Sequence, residues 1–96
     1  MAFLVRAIDK PGALDIRKAN REAHLAFLAD AGEHLKLAGP LLAEDGGMIG
    51  SLLVVDFDTA AEVNDWLRDD PYTRAGLFRD VSVTGFKPVM ANFGDL

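Results

Sequence analysis

The chain has 96 residues and a mass of 10.4 kDa, which is room for one domain, and with half its residues hydrophobic and 26% charged it has globular rather than disordered composition. Ten Lys and Arg against 15 Asp and Glu give a net charge of −5, which argues against the clustered positive surface that nucleic acid binding requires. The absence of cysteine excludes disulfides, thiol chemistry and thiolate metal sites, and no apolar run, Leu52 to Val55 included, approaches the roughly 20 residues that cross a bilayer.

Ala2 to Ile8 is rich in strand formers, and Asp9-Lys10-Pro11-Gly12 ends it with turn chemistry. From Ala13 to about Ala31 there is no Pro or Gly, and Gly32 stops the run, so a long helix is expected there. Glu33 to Leu37 alternates polar and apolar and continues through Ala38-Gly39-Pro40 to Leu42 as a second strand. Glu44-Asp45-Gly46-Gly47 reads as a hairpin turn, with Met48 to Phe57 as the returning strand. Asp58-Thr59, with Glu62 three residues after Thr59, forms a capping box for a second helix over about Ala60 to Asp69. Asp70-Pro71 breaks that helix, Tyr72 to Gly76 adds one more turn, and Phe78 to Phe86 is the last strand.

The order βαββαβ predicts an α+β fold: a four-stranded antiparallel sheet, strand order 4-1-3-2, with two helices on one face. The two central strands carry apolar residues on both faces: Phe3, Val5 and Ala7 against Leu4 and Ile8 in the first strand, Leu53 and Val55 against Leu52 and Val54 in the third. Two helices cover only one face of such a sheet, so a homodimer packed through the open face is expected. The N-terminal stretch Met1 to Arg6 lacks the basic leader and long apolar segment of a signal peptide, and a cytoplasmic location is expected.

Placed at 100° per residue, the first helix has a charged face of Asp15, Lys18 and Glu22. Opposite it lie two apolar shoulders, Ile16 with Phe27 and Leu14 with Leu25 and Leu28, and between them run Arg17, Asn20 and His24, with Arg21 alongside. Burying unpaired polar groups costs about 1–3 kcal/mol each, so this stripe implies partners, water or a cavity. One reading is a pocket in which His24 is a general acid or base and an arginine holds an anion; the other is that the arginines snorkel to solvent and His24 is a satisfied interior histidine. Asp70, before Pro71 at a helix break, either turns into a cleft as the carboxylate that orients His24 or caps the following turn. His34 reads as a surface residue on the alternating second strand. With two histidines and no cysteine, no metal site is expected, and neither a phosphate loop nor a nucleophile elbow around Ser51 is present.

Several short pieces then fall in one order: Asp9-Lys10, Arg17 with Arg21-x-x-His24-Leu25, Ala38-Gly39-Pro40, Gly50-Ser51, and Asp70-Pro71-Tyr72 followed by Ala75-Gly76. Over almost its whole length the chain resembles the YciI-like, or YCII-related, family of small bacterial proteins. Met48 stands where an aromatic residue is common in that family, and the turn before it is shorter than in many relatives. The resemblance implies a single YCII-related domain over 1–96, a ferredoxin-like fold that dimerises into an α/β barrel, and a His-Asp pair, here His24 and Asp70, as the active site. It also implies that some members eliminate a group from hydroxylated, chlorinated aromatics. The function expected is a cofactor-independent enzyme of lyase or isomerase type acting on a small anionic or phenolic molecule. His24 and Asp70 are its catalytic pair, and Arg17, Arg21, Ser51 and Tyr72 its substrate-binding residues. The alternative is a ligand-binding or regulatory dimer that uses the same pocket without chemistry.

Overall fold

Residues 1–94 are described by a computed structural model, in which strand and helix follow in the order β1 (Ala2–Asp9), α1 (Leu14–Asp30), β2 (Leu35–Leu42), β3 (Met48–Asp56), α2 (Ala60–Leu67), α3 (Pro71–Arg74) and β4 (Phe78–Phe86). The sheet order is β2-β3-β1-β4, with every pair antiparallel, as expected from the sequence. Among the described residues, no helix is long and apolar enough to cross a membrane.

The hairpin between β2 and β3 closes where Gly46 takes a φ of 88°, a conformation that L side chains rarely adopt. Thr59 caps α2 as read, its Oγ1 accepting the Glu62 N–H at 3.2 Å, while the Glu62 carboxylate accepts from the Thr59 hydroxyl at 3.4 Å. Asp70 caps α3 with Pro71 at the first helical position. Several boundaries shift by one or two residues from the sequence expectation, α2 for instance ending at Leu67, and the shift at β2 moves a histidine. Gly32 to His34 forms a 3₁₀ turn before β2, so His34 precedes the strand. Its Nδ1 lies 2.7 Å from the Asp56 carbonyl and its ring stacks on Phe57 at 4.4 Å, which holds the turn against the end of β3.

Strand alternation sends Phe3 and Val5 of β1 and Leu53 and Val55 of β3 to the helix side, where Leu28 of α1 and Val63 and Leu67 of α2 complete the core. Phe27 stacks on Trp66 at 4.9 Å and closes the seam between α1 and α2. A second, smaller cluster of Ala13, Tyr72 and Leu77 ties α3 to the start of α1. The opposite face of the sheet carries Leu37 and Leu41 of β2, Leu52 and Val54 of β3, and Leu4 and Ile8 of β1, with Leu4 and Leu37 both paired to Val54. That face bears no helix.

α1 turns toward the sheet the polar stripe read from its sequence, but its apolar shoulders are less buried than that reading suggests. Its buried residues are Arg17, His24 and Leu28, whereas Leu14, Ile16 and Leu25 are 38%, 38% and 51% exposed. The polar stripe faces the sheet, and much of the apolar shoulders lies outside.

Candidate active site

A polar side chain reaches an interior only if its hydrogen bonds are met there. Both buried polar groups of α1 satisfy this with a carboxylate from another element. His24 Nδ1 lies 2.8 Å from Asp70 Oδ1, with both residues buried. The same Asp70 oxygen accepts the Tyr72 backbone N–H at 2.9 Å as the cap of α3. The two roles the sequence left open for Asp70 are therefore both filled by one atom. An ionised carboxylate can only accept, so Nδ1 is the nitrogen that donates to Asp70, and in the neutral imidazole the lone pair is then at Nε2. The Tyr72 ring stacks on His24 with centroids 3.9 Å apart and planes 15° apart, so the imidazole is held at one nitrogen and across its face.

Arg17 is 2% exposed and lies inside rather than snorkelling. Its Nε and Nη2 donate to the two oxygens of Asp9 at 2.8 and 2.9 Å, a bidentate ion pair, and Nη2 also donates to Ser51 Oγ at 2.9 Å. The guanidinium lies 4.7 Å from the Tyr72 ring centroid. Burial works to lower the pKa of Arg17, but the hydrogen bonds and charge of Asp9, helped by Tyr72, outweigh it and leave it raised. Burial raises the Tyr72 phenol further than the charges of Arg17 and Arg21 lower it, so Tyr72 is neutral around pH 7.

These residues surround a cavity of about 210 Å³ between α1 and the β2–β3 hairpin. Arg17, Arg21, His24, Ser51 and Tyr72 give it a polar lining; Leu25, Leu28, Ala38, Pro40, Met48 and Leu53 give it an apolar one. The structure thus brings five of the six sequence-predicted site residues to one cavity. The sixth, Asp70, stands behind His24. Arg21 is exposed at the rim, and among the described residues it enters no ion pair. Asn20, placed in the stripe by helical spacing, turns back to donate to the Ile16 carbonyl and takes no part. Asp9 was missed: its position in Asp9-Lys10-Pro11-Gly12 reads as turn chemistry. The available signal was strand parity, since Phe3, Val5, Ala7 and Asp9 share the helix-facing side of β1.

A family model for the YCII-related domain matches residues 1–87. The chain belongs to the YCII-related family. It is 38% identical over 97 residues to an uncharacterized protein of Haemophilus influenzae, spanning 93% of this chain and 99% of that one. It is 37% identical over 98 residues to the protein YciI of Escherichia coli O6:H1, again over 93% and 99% of the two chains. Among solved structures it is similar to the 5-chloro-2-hydroxyhydroquinone dehydrochlorinase of Burkholderia phenoliruptrix AC1100 in complex with 2,5-dihydroxybenzoquinone. The two share a TM-score of 0.84 and 36% sequence identity over 91% of this chain and 94% of that one. A NIPSNAP family protein from Agrobacterium tumefaciens shares the fold alone, at a TM-score of 0.56 and 16% identity over 92% and 91% of the chains.

Proposed function

We propose that this YCII-related protein is an enzyme of lyase or isomerase type that moves a proton on, or eliminates a group from, a small phenolic or anionic molecule. The observation that carries the reading is the buried His24–Asp70 pair beside the cavity, with Nδ1 taken by Asp70 and Nε2 left as the base. In an elimination the substrate proton passes to Nε2, the electron pair it leaves forms the new double bond, and the leaving group departs as an anion with its bonding electrons. Asp70 holds the ring and stabilises the imidazolium that forms. Arg21 attracts negative charge at the rim, because Arg17 is already paired with Asp9. Ser51, Arg17 and Tyr72 supply hydrogen bonds around the ligand. The reaction so written uses side chains alone and calls for no cofactor.

The dehydrochlorinase supports this choice of chemistry, since its name describes an elimination from a chlorinated hydroquinone and its ligand is a dihydroxylated ring. A single six-membered ring is the size of ligand a cavity of about 210 Å³ suits. We further propose that two chains pack through the open sheet face as a dimeric α/β barrel, and that the protein works in the cytoplasm, where a chain without cysteine needs no oxidising compartment.

The test is chloride release from 5-chloro-2-hydroxyhydroquinone, followed alongside thermal stabilisation by 2,5-dihydroxybenzoquinone. His24→Ala and Asp70→Asn are each expected to lower turnover by about 10²–10⁴-fold, the usual worth of a positioned general base. Turnover equal to wild type in both variants would falsify the assignment. Stabilisation by the quinone with no product from the hydroquinone would favour the ligand-binding dimer instead.

A further inference from the structure

Asp9 is a buried carboxylate that the reaction above does not use. It closes β1 where pairing with β4 shifts register between Ile8 and Asp9, and both of its oxygens are taken by Arg17. It does not line the cavity, so it can act on a ligand only through what it holds. Arg17 Nη2 has two protons: one goes to Asp9 and the other to Ser51 Oγ. The bidentate pair fixes the guanidinium plane, and with it the direction from which Ser51 receives its hydrogen bond. A serine oxygen that accepts from a cation cannot turn its own proton back along that line, and Ser51 itself borders the cavity.

We propose that Asp9 is a positioning residue: by clamping Arg17 it makes the Ser51 hydroxyl a directed hydrogen-bond donor to an acceptor oxygen of the bound molecule. The inner end of the cavity then presents a neutral donor, since the charge of Arg17 is balanced by Asp9, and Arg21, a cation in no ion pair among the described residues, stands exposed at the rim. The matching ligand has a carbonyl or phenolic oxygen at its inner end, close to the proton that His24 takes, and its negative charge toward the mouth. The inference rests on reading the cavity as a ligand site.

A double-mutant cycle on the affinity for 2,5-dihydroxybenzoquinone, measured by calorimetry, tests it. Ser51→Ala is expected to weaken binding about tenfold, the loss of one buried donor to a charged or strongly polar acceptor. Asp9→Asn keeps the shape of the side chain and releases the clamp; it is expected to weaken binding about three- to tenfold in wild type and not at all in the Ser51→Ala background. Losses that multiply in the double variant would overturn the positioning role while leaving the ligand site standing. No binding by wild type would remove the ligand site and this inference with it. If Asp9→Asn does not fold, Arg17→Lys replaces it, because a lysine keeps the ion pair but cannot make the two-pronged contact and reach Ser51 as well. Its loss is likewise expected to vanish in the Ser51→Ala background, and a loss that persists there overturns the proposal.

Discussion

Tyr72 joins the two buried carboxylate pairs of the site. Its backbone N–H is capped by Asp70, its ring stacks on His24, and the guanidinium of Arg17 lies against the same ring. Burial raises its pKa from the ordinary value near 10.0 more than the arginines lower it. It is the one tyrosine of the chain, so alkaline absorbance reports it alone. The native protein is expected to ionise Tyr72 at higher pH than the urea-unfolded chain. A group whose native pKa is raised favours the native state while it is protonated. Its contribution is therefore full below about pH 10 and is lost as pH rises through the native pKa. Native and unfolded chains with coincident titrations would show that the ring is not buried as described. Sequence reading found His24 and Asp70 because the helical spacing and the Asp-Pro break are local signals, whereas Tyr72 joins the site only with the family resemblance. It could not choose between cap and catalytic partner for Asp70, because both use the same oxygen.

The elements are where sequence and structure agree most closely, and the reasons are local ones. Gly32 ends α1, Pro71 starts α3, Asp45-Gly46 turns the hairpin, and strand alternation separates the two faces of the sheet. The hidden demand lies at Gly50. A Cβ there would stand 2.4 Å from the Ala7 carbonyl oxygen, a backbone atom that cannot swing away. Read along the sequence, Gly50 is only a strand glycine beside Ser51; the close approach of β1 exists only once the sheet is paired. Gly50→Ala is expected to cost about 1–3 kcal/mol or more, seen as a lower urea midpoint, and to disturb Ser51 with it. An unchanged midpoint would mean that the strands do not approach so closely. The packing of α1 has a related limit. Helical spacing shows that the stripe of Arg17 and His24 needs partners, but the carboxylates that meet it lie on β1 and ahead of α3, and no property of the helix names them.

At the scale of the whole molecule, the helices cover one side of a four-stranded sheet and leave Leu4, Ile8, Leu37, Leu41, Leu52 and Val54 on the other. A chain of this size buries only about two-thirds of its unfolded surface, so a second copy on that face would extend a small core. Sedimentation equilibrium is expected to give about twice the 10.4 kDa chain mass. Leu52→Asp, which sets a charge in the middle of the open face, is expected to return the chain to 10.4 kDa with its fold intact. A wild type that sediments as a monomer at micromolar concentration would sink the dimer.

By itself, the sequence determined the order of the elements, the topology of the sheet and five of the residues around the cavity. These follow from periodicity, breakers and caps acting over a few residues, and from short motifs that match the YCII-related family. Tertiary structure alone decided how Arg17 is paired, and it supplied the contact between His24 and Asp70 that the family resemblance implied. His24 meets Asp70 across 46 positions of sequence, Arg17 meets Ser51 across 34, and Arg17 takes Asp9 from a strand end that reads as a turn. Such contacts depend on strand register and on where α1 lies over the sheet, so the physical reason is one of distance along the chain. Local patterns specify what each segment becomes, and only the packed fold specifies which charge neutralises which.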